Sequence, residues 1–167
     1  FLYAQIDEVF PQVDIYLKKI FSPETVRVTG AFRRQETTIE ELEYVILENN
    51  QLIKPKFQTA QPPELLEENA TSLLYKLRNG LKLRLYTGGT NRAEQLFITT
   101  GPKEFVQAFQ KKYPGLKYKG DETEDDAIVF EKAKIGYIPP MLRESVAIID
   151  KAKNKSLPEL IQAGDIK

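Results

Sequence analysis

Alternating apolar and polar positions predict four β-strands. Residues 25–29 alternate and are rich in β-branched side chains, and residues 42–47 form a second run that ends in a polar stretch. Two further alternating runs, 73–77 and 81–86, flank Asn79-Gly80, the strongest short-range signal for a β-hairpin. In the last strand, alternation assigns Leu81, Leu83 and Leu85 to one face and Lys82, Arg84 and Tyr86 to the other.

Helical spacing and helix-start residues predict the remaining elements. The predicted helices span 2–20, 63–68, 92–97, 101–112, 121–132 and 142–153, and Pro11 is expected to kink the first one or divide it in two. A soft boundary at 99–102 separates a strand-containing part from a helix-rich part. The expected fold class is therefore α/β, in the α+β arrangement.

Composition excludes several kinds of site. The chain has 167 residues with no Cys and no His, which excludes disulfides, thiolate nucleophiles and imidazole ligands. A metal site would have to use carboxylates, which suit Mg²⁺, Mn²⁺ or Ca²⁺. Lys plus Arg equals Asp plus Glu at 24 each, so net charge gives no argument for a general polyanion-binding surface. No apolar run approaches the roughly 20 residues that cross a bilayer, so no membrane association is expected.

Four segments resemble motifs of the bacterial family X DNA polymerases. Residues 30–45 resemble the nucleotidyltransferase signature, in which Gly-Ser, a variable residue and Arg-Arg precede an Asp-x-Asp pair that enters a strand. Residues 77–84 resemble the hairpin that carries the third family aspartate. Residues 97–104 resemble the palm–thumb junction motif, and residues 136–144 resemble the thumb motif Tyr-Ile-Pro-Pro-Glu-Leu-Arg-Glu. The resemblance covers roughly residues 5–167, and its strength lies in the order and spacing of the four motifs.

The resemblance implies a domain organisation. It implies a nucleotidyltransferase palm over 1–100, with a mixed, twisted sheet and helices packed on one side. A small helical thumb would follow over 101–150, and residues 151–167 would form a linker. Such polymerases begin with a helix-hairpin-helix region and continue into a phosphoesterase domain of the PHP type, so this chain is expected to be the middle of a longer protein.

The chain departs from the family at the positions that carry its chemistry. In the family, three aspartates hold two Mg²⁺ or Mn²⁺ ions. Here the first two positions match Glu41 and Glu43, and the third matches Lys82, whose ammonium cannot ligate a metal. The resemblance therefore implies no competent catalytic residue, no metal and no cofactor for this chain. Ala31 and Pro102 stand where the family has phosphate-binding serines.

The remaining polar residues allow more than one interpretation. Glu41 and Glu43 form a residual metal site, an ion-pair cluster with Lys82, or a solvated strand face. Gly30, Arg33, Arg34, Thr100 and Gly101 are weak candidates for nucleotide or DNA contacts, against the alternative of an ordinary loop and helix start. The acidic run 121–126 either binds a cation or begins a helix.

The expected function follows from motifs that keep the family's fold residues but alter its carboxylate positions. We expect a cytoplasmic, polymerase-like module without nucleotidyl transfer that acts as a scaffold or DNA-positioning part in DNA repair. Its expected partners are DNA, bound weakly, and the flanking helix-hairpin-helix and PHP domains. The alternatives are an active template-directed DNA polymerase that uses Glu41 and Glu43, and a protein-interaction module without a DNA role. Whether the chain is an enzyme stays open at this point.

Overall fold

A computed structural model describes residues 1–57, 61–88, 91–118 and 125–154. In this part the chain has an α+β fold, which confirms the expected fold class. The helices are α1 (Tyr3–Ile20), α2 (Gly30–Arg33), α3 (Asn50–Ile53), α4 (Arg92–Thr100), α5 (Lys103–Lys112), α6 (Ala127–Lys132) and α7 (Ile148–Lys153). The strands are β1 (Val26–Thr29), β2 (Glu41–Ile46), β3 (Glu64–Asn69), β4 (Ser72–Lys76) and β5 (Lys82–Tyr86).

The strands form one mixed sheet in the order β1-β2-β5-β4-β3. Strands β2 and β5 are parallel, and the other neighbouring pairs are antiparallel. Strands β4 and β5 form the hairpin predicted around Asn79-Gly80, and Gly80 has a φ of +85°, which favours glycine. The parallel pair brings together two segments that are far apart in the sequence, and it lies in the middle of the sheet.

One face of the sheet is apolar and forms a hydrophobic core. Leu42 and Tyr44 on β2 and Leu83 and Leu85 on β5 are buried there, together with residues of α1. The Tyr44 hydroxyl donates a hydrogen bond of 2.9 Å to Asp14 of α1 and so joins the helix to β2. The opposite face carries Glu41, Glu43, Lys82, Arg84 and Tyr86, and we call it the polar face.

A second core lies among the later helices and is built from aromatic rings. Phe97, Phe109 and Phe130 are buried in it, and the centroids of these rings lie 4.9–5.7 Å apart. Such distances suit tilted and edge-to-face ring packing. This second cluster draws on residues 97–152, whereas the first draws on residues 6–85.

The prediction of a helix at 63–68 was wrong, because these residues form the edge strand β3. All six residues of β3 are exposed, so local composition favours a helix while antiparallel pairing with β4 decides the outcome. A bulge between Leu65 and Glu67 further obscures the alternation of this strand.

Other boundaries also differ from the predictions. Helix α1 runs through Pro11 as one helix. The helix predicted from residue 142 begins only at Ile148, after a 3₁₀ turn at Pro140–Leu142. Helix α7 continues to Lys153, into the start of the expected linker. The acidic residues 121–124 and the rest of the linker, 155–167, lie outside the described residues.

The two faces of β5 predict opposite effects of truncation. Leu85 is fully buried, so Leu85→Ala is expected to lower the free energy of unfolding by about 2–5 kcal/mol through reduced burial and a residual cavity. Lys82→Ala on the exposed polar face should change it by less than about 0.5 kcal/mol. Urea unfolding followed by circular dichroism measures both; equal losses would contradict this assignment of faces.

Candidate functional site

The polar face brings the predicted glutamates together with the polar side chains of β5. In the parallel register Glu41 is the partner of Lys82, and Glu43 is the partner of Arg84. Alternation on each strand points Glu41 and Glu43 to the same face as Lys82, Arg84 and Tyr86. The expectation that Lys82 lies across from the glutamates is confirmed by this register.

Glu41 is held by Arg84 rather than by Lys82. The Nε of Arg84 donates to one carboxylate oxygen of Glu41 at 2.6 Å, and its Nη2 donates to the other at 3.0 Å. The hydrogen bond to Glu41 is the main reason that the pKa of Arg84 is raised. The interpretation of a Glu–Lys ion pair is therefore wrong. A planar guanidinium fork matches both carboxylate oxygens at once, whereas the Lys82 ammonium is a single point of charge that remains in solvent.

Glu43 is held by a hydroxyl and a backbone amide. The Tyr86 hydroxyl donates to one carboxylate oxygen at 2.6 Å, and the Ala31 N–H donates to the other at 3.1 Å. Gly30, at a φ of +68°, makes this approach possible, because a Cβ there would lie 1.8 Å from the Glu43 carboxylate. Gly30 was predicted as a weak nucleotide contact, and in the structure it accommodates the side chain of Glu43.

Burial sets the electrostatics of Glu43. Removal of the carboxyl from water raises the pKa of Glu43, and the hydrogen bonds from Tyr86 and Ala31 oppose this effect only in part. The nearby negative charge of Glu41 raises the pKa further. Burial also raises the pKa of Tyr86 well above its usual range, so its hydroxyl keeps the proton that it donates to Glu43.

The carboxylates are poorly placed to bind a divalent cation. Within the described ranges, no group of three or more Asp, Glu, His or Cys side chains could hold a metal ion. Both oxygens of Glu41 and both oxygens of Glu43 already accept hydrogen bonds from the protein. A metal would have to displace Arg84 from Glu41 and approach beside the Lys82 ammonium.

A groove of about 450 Å³ opens beside these residues. Its charged lining comprises one cation, Arg34, and four glutamates, Glu36, Glu40, Glu41 and Glu43. Arg34 pairs with Glu36, and Arg84 pairs with Glu41, so the negative charge that would repel phosphate groups is that of Glu40 and Glu43. The charge of the groove therefore disfavours binding of a nucleoside triphosphate.

Arg33 is tied to the second core instead of facing the groove. It donates two hydrogen bonds to Asp126, at 2.8 and 2.9 Å, and a third to the Thr100 hydroxyl at 2.7 Å. Asp126 is fully buried and also accepts a 2.7 Å hydrogen bond from Arg143. Burial alone would raise the pKa of Asp126, but the two arginines outweigh it and hold that pKa below its usual range.

Arg143 is the third member of this network and donates a hydrogen bond to Asp126. Its side chain is fully buried, and its Nε donates to the Ile138 carbonyl at 2.9 Å. Its guanidinium lies 5.0 Å from the Phe130 ring centroid and 5.8 Å from that of Phe97. The faces of aromatic rings attract a cation, so the rings of Phe97 and Phe130 stabilise the charge of Arg143.

Arg34, Thr100 and Gly101 also have partners within the protein. Arg34 donates to the Thr100 carbonyl at 2.5 Å and forms an ion pair with Glu36 at 3.2 Å. The Thr100 hydroxyl lies 3.1 Å from the hydroxyl of Thr29. Gly101 ends α4 at a φ of +62°, a conformation that favours glycine. These residues join α2, β1 and α4, and this contact accounts for their positions without any ligand.

Three residues of the site were not among the sequence candidates: Arg84, Tyr86 and Arg143. Alternation had already assigned Arg84 and Tyr86 to the face of Lys82, so the register of β2 on β5 was the missing information. Asp126 was interpreted as part of an acidic helix start or cation site. Nothing in the local sequence pairs it with an arginine 93 residues away.

Comparison with known proteins assigns no family to this chain. No protein-family model matches the sequence, and no curated protein matches it significantly. In the part of the chain that the structure describes, no helix is long and apolar enough to cross a membrane.

Replacement of Asp126 by a neutral residue is expected to lower the stability of the fold strongly. Asp126→Asn would leave Arg33 and Arg143 facing each other without a counter-charge, and removal of one partner from a buried ion pair costs about 3–5 kcal/mol. Because the pKa of Asp126 is lowered, its contribution is complete above the ordinary Asp pKa and is lost as pH falls through the lowered value. The difference between wild type and variant should therefore shrink in acid.

Asp150 provides the matched control for this experiment, since it pairs with Lys112 at the surface. Asp150→Asn should have a much smaller effect at every pH. Urea unfolding of all three proteins from pH 3 to pH 7 tests the prediction. Equal effects of the two substitutions would show that the Asp126 network adds no stability.

The contribution of Glu43 to stability is expected to change with pH in the opposite direction to that of Asp126. Its raised pKa means that the folded protein disfavours the charged form, so wild-type stability from this group is present below the ordinary Glu pKa and lost as pH rises through the raised value. Glu43→Gln should therefore gain stability relative to wild type as pH rises from 3 to 8. Urea unfolding across this range is the measurement, and an advantage that falls with pH would contradict the assignment.

Proposed function

We propose that this chain is a palm and thumb of the family X polymerase type that has lost nucleotidyl transfer and serves as a DNA-positioning scaffold in repair. One observation supports the loss above all. Glu41 and Glu43, which match the first two metal-binding aspartates of the family, accept hydrogen bonds from Arg84, Tyr86 and the Ala31 N–H. The family assignment itself rests on the sequence resemblance.

Metal binding at this site is opposed by charge as well as by geometry. Mg²⁺ needs oxygen ligands at 2.0–2.1 Å in near-ideal octahedral geometry, while the Arg84 fork takes both oxygens of Glu41. The Lys82 ammonium projects from the same face as Glu41 and Glu43 and adds repulsion against a divalent ion.

Triphosphate binding lacks donors at the same site. The Ala31 N–H is donated to Glu43, and Pro102 has no N–H. Arg33 is engaged by Asp126, and Arg34 by Thr100 and Glu36. Glu40 and Glu43, which line the groove, add repulsion. A scaffold role agrees with these contacts, because each contributes to folding or to the junction between the two cores.

The proposed context is a longer cytoplasmic repair protein. In it the module would hold helix-hairpin-helix and PHP phosphoesterase domains in register on weakly bound DNA. An active polymerase that uses Glu41 and Glu43 is the competing function, and it requires Arg84 to release Glu41. The two functions differ in whether metal-dependent nucleotide incorporation occurs.

Primer extension on a gapped template tests the proposal. We expect no nucleotide incorporation with Mg²⁺ or Mn²⁺, and no heat of Mg²⁺ binding in titration calorimetry. The triple variant Glu41→Asp/Glu43→Asp/Lys82→Asp should gain metal binding because it restores three short carboxylates. Lys82→Asp alone should gain less, and Lys19→Asp on α1, which adds the same charge elsewhere, should gain none.

Extension by the unmutated chain that is abolished in Glu43→Ala would contradict the proposal, since these glutamates would then be catalytic. Extension that survives in both Glu43→Ala and Lys82→Ala would place the chemistry elsewhere in the chain and would contradict it equally. Calorimetric binding of Mg²⁺ that disappears in Glu43→Ala would refute the argument about the site even without extension.

A further inference from the structure

Two lysines face each other at the end of the β4–β5 hairpin. Lys76 on β4 and Lys82 on β5 are direct partners in the antiparallel register, so their side chains project from the same face of the sheet. Partners of this kind have Cβ atoms roughly 4.5–5.5 Å apart, and like charges in such positions destabilise a sheet. Both side chains are exposed. The arrangement therefore has an electrostatic cost that a bound anion would relieve.

Neither lysine forms an ion pair in the described part of the chain, and only Glu64, opposite Lys76 on β3, offsets part of the repulsion. Lys18 pairs with Asp14, Lys54 with Glu68 and Lys112 with Asp150, whereas no ion pair of Lys76 or Lys82 is present among the described residues. Glu41, the register partner of Lys82 on β2, is neutralised by Arg84. Glu64 is the register partner of Lys76 on β3, and the two form no ion pair.

The turn adds a third cation on a well-ordered backbone. Arg78 is exposed, two residues beyond Lys76. The turn is closed by hydrogen bonds from the Leu77 N–H to the Leu81 carbonyl at 2.8 Å and from the Gly80 N–H to the Leu77 carbonyl at 3.0 Å. We call Lys76, Arg78 and Lys82 the hairpin basic cluster. The sheet holds the backbone of Lys76 beside that of Lys82, and Arg78 lies in the turn that joins their strands.

We propose that the hairpin basic cluster binds the phosphodiester backbone of a nucleic acid without a metal ion. The proposal rests on the proposed function, and it assigns the DNA contact to a specific part of the polar face. A phosphate between Lys76 and Lys82 would replace their mutual repulsion with two attractions. The glutamate-lined groove beside β2 repels the same backbone, so the contact lies at the hairpin end rather than over Glu41 and Glu43.

Fluorescence anisotropy with a labelled DNA duplex in EDTA tests this inference. The double variant Lys76→Ala/Lys82→Ala should bind roughly tenfold more weakly than wild type at low salt. Its slope of log affinity against log salt should be shallower by about 0.9 for each phosphate that the two lysines neutralise in wild type. The matched control is Lys19→Ala/Lys56→Ala, which removes two exposed lysines from the helices on the other side of the sheet. The control should bind with wild-type affinity and slope.

Folding and ligand identity are checked in the same experiment. The hairpin variant should unfold at the wild-type temperature or above it, and Lys76→Gln/Lys82→Gln repeats the test with longer side chains. Equal weakening by hairpin and control variants, or no wild-type binding even at 50 mM salt, would overturn the inference. Binding to phosphatidylserine vesicles without binding to the duplex would also overturn it. The assay contains no metal, so its failure leaves the loss of nucleotidyl transfer standing, and metal-dependent extension would leave this DNA contact standing.

Discussion

The parallel pairing of β2 with β5 is the constraint on which the rest of the site depends. It aligns Glu41 with Lys82 and Glu43 with Arg84, so carboxylates, cations and the Tyr86 hydroxyl share one face of the sheet. The apolar residues between them, such as Leu42 and Leu83, face the core and prevent the strands from slipping by one residue. Because the register is fixed, Arg84 and Tyr86 lie next to the two glutamates, and each carboxylate oxygen of Glu41 and Glu43 accepts a hydrogen bond from the protein.

Hydrogen bonds between buried charged side chains also join the two hydrophobic cores. Asp126, from the segment that leads into α6, lies between Arg33 of α2 and Arg143 behind the aromatic cluster. Burial of Asp126 and Arg143 is tolerated because each has a charged partner, and removal of Asp126 would leave Arg33 and Arg143 without a counter-charge. Arg33, which lies in the segment that resembles a nucleotidyltransferase motif, makes its contacts within the protein and joins α2 to α4 and to the start of α6.

Much of the fold could be predicted from local patterns, and the site could be predicted only in part. The Asn79-Gly80 hairpin and the two faces of β5 follow from alternation, which is a property of neighbouring residues. Strand β3 was missed because its exposed, acidic sequence has no apolar face to reveal it. Arg84 and the pairing of Asp126 with Arg33 were missed because the partners are 43 and 93 residues away, and single-sequence patterns carry no information on such contacts. The role of Gly30 could not be predicted from the sequence, because it depends on how closely the Glu43 side chain approaches the position that a Cβ would occupy.

The central claim is that Glu41 and Glu43 are satisfied by the protein's own donors and bind no divalent cation. Carbon-13 NMR of the glutamate side-chain carboxyls, with substoichiometric Mn²⁺ added, tests it directly because a bound paramagnetic ion broadens nearby signals. We expect the Glu41 and Glu43 signals to broaden no more than that of Glu24, an exposed glutamate outside the site. Selective disappearance of the Glu41 and Glu43 signals at low Mn²⁺, reversed by EDTA, would contradict it.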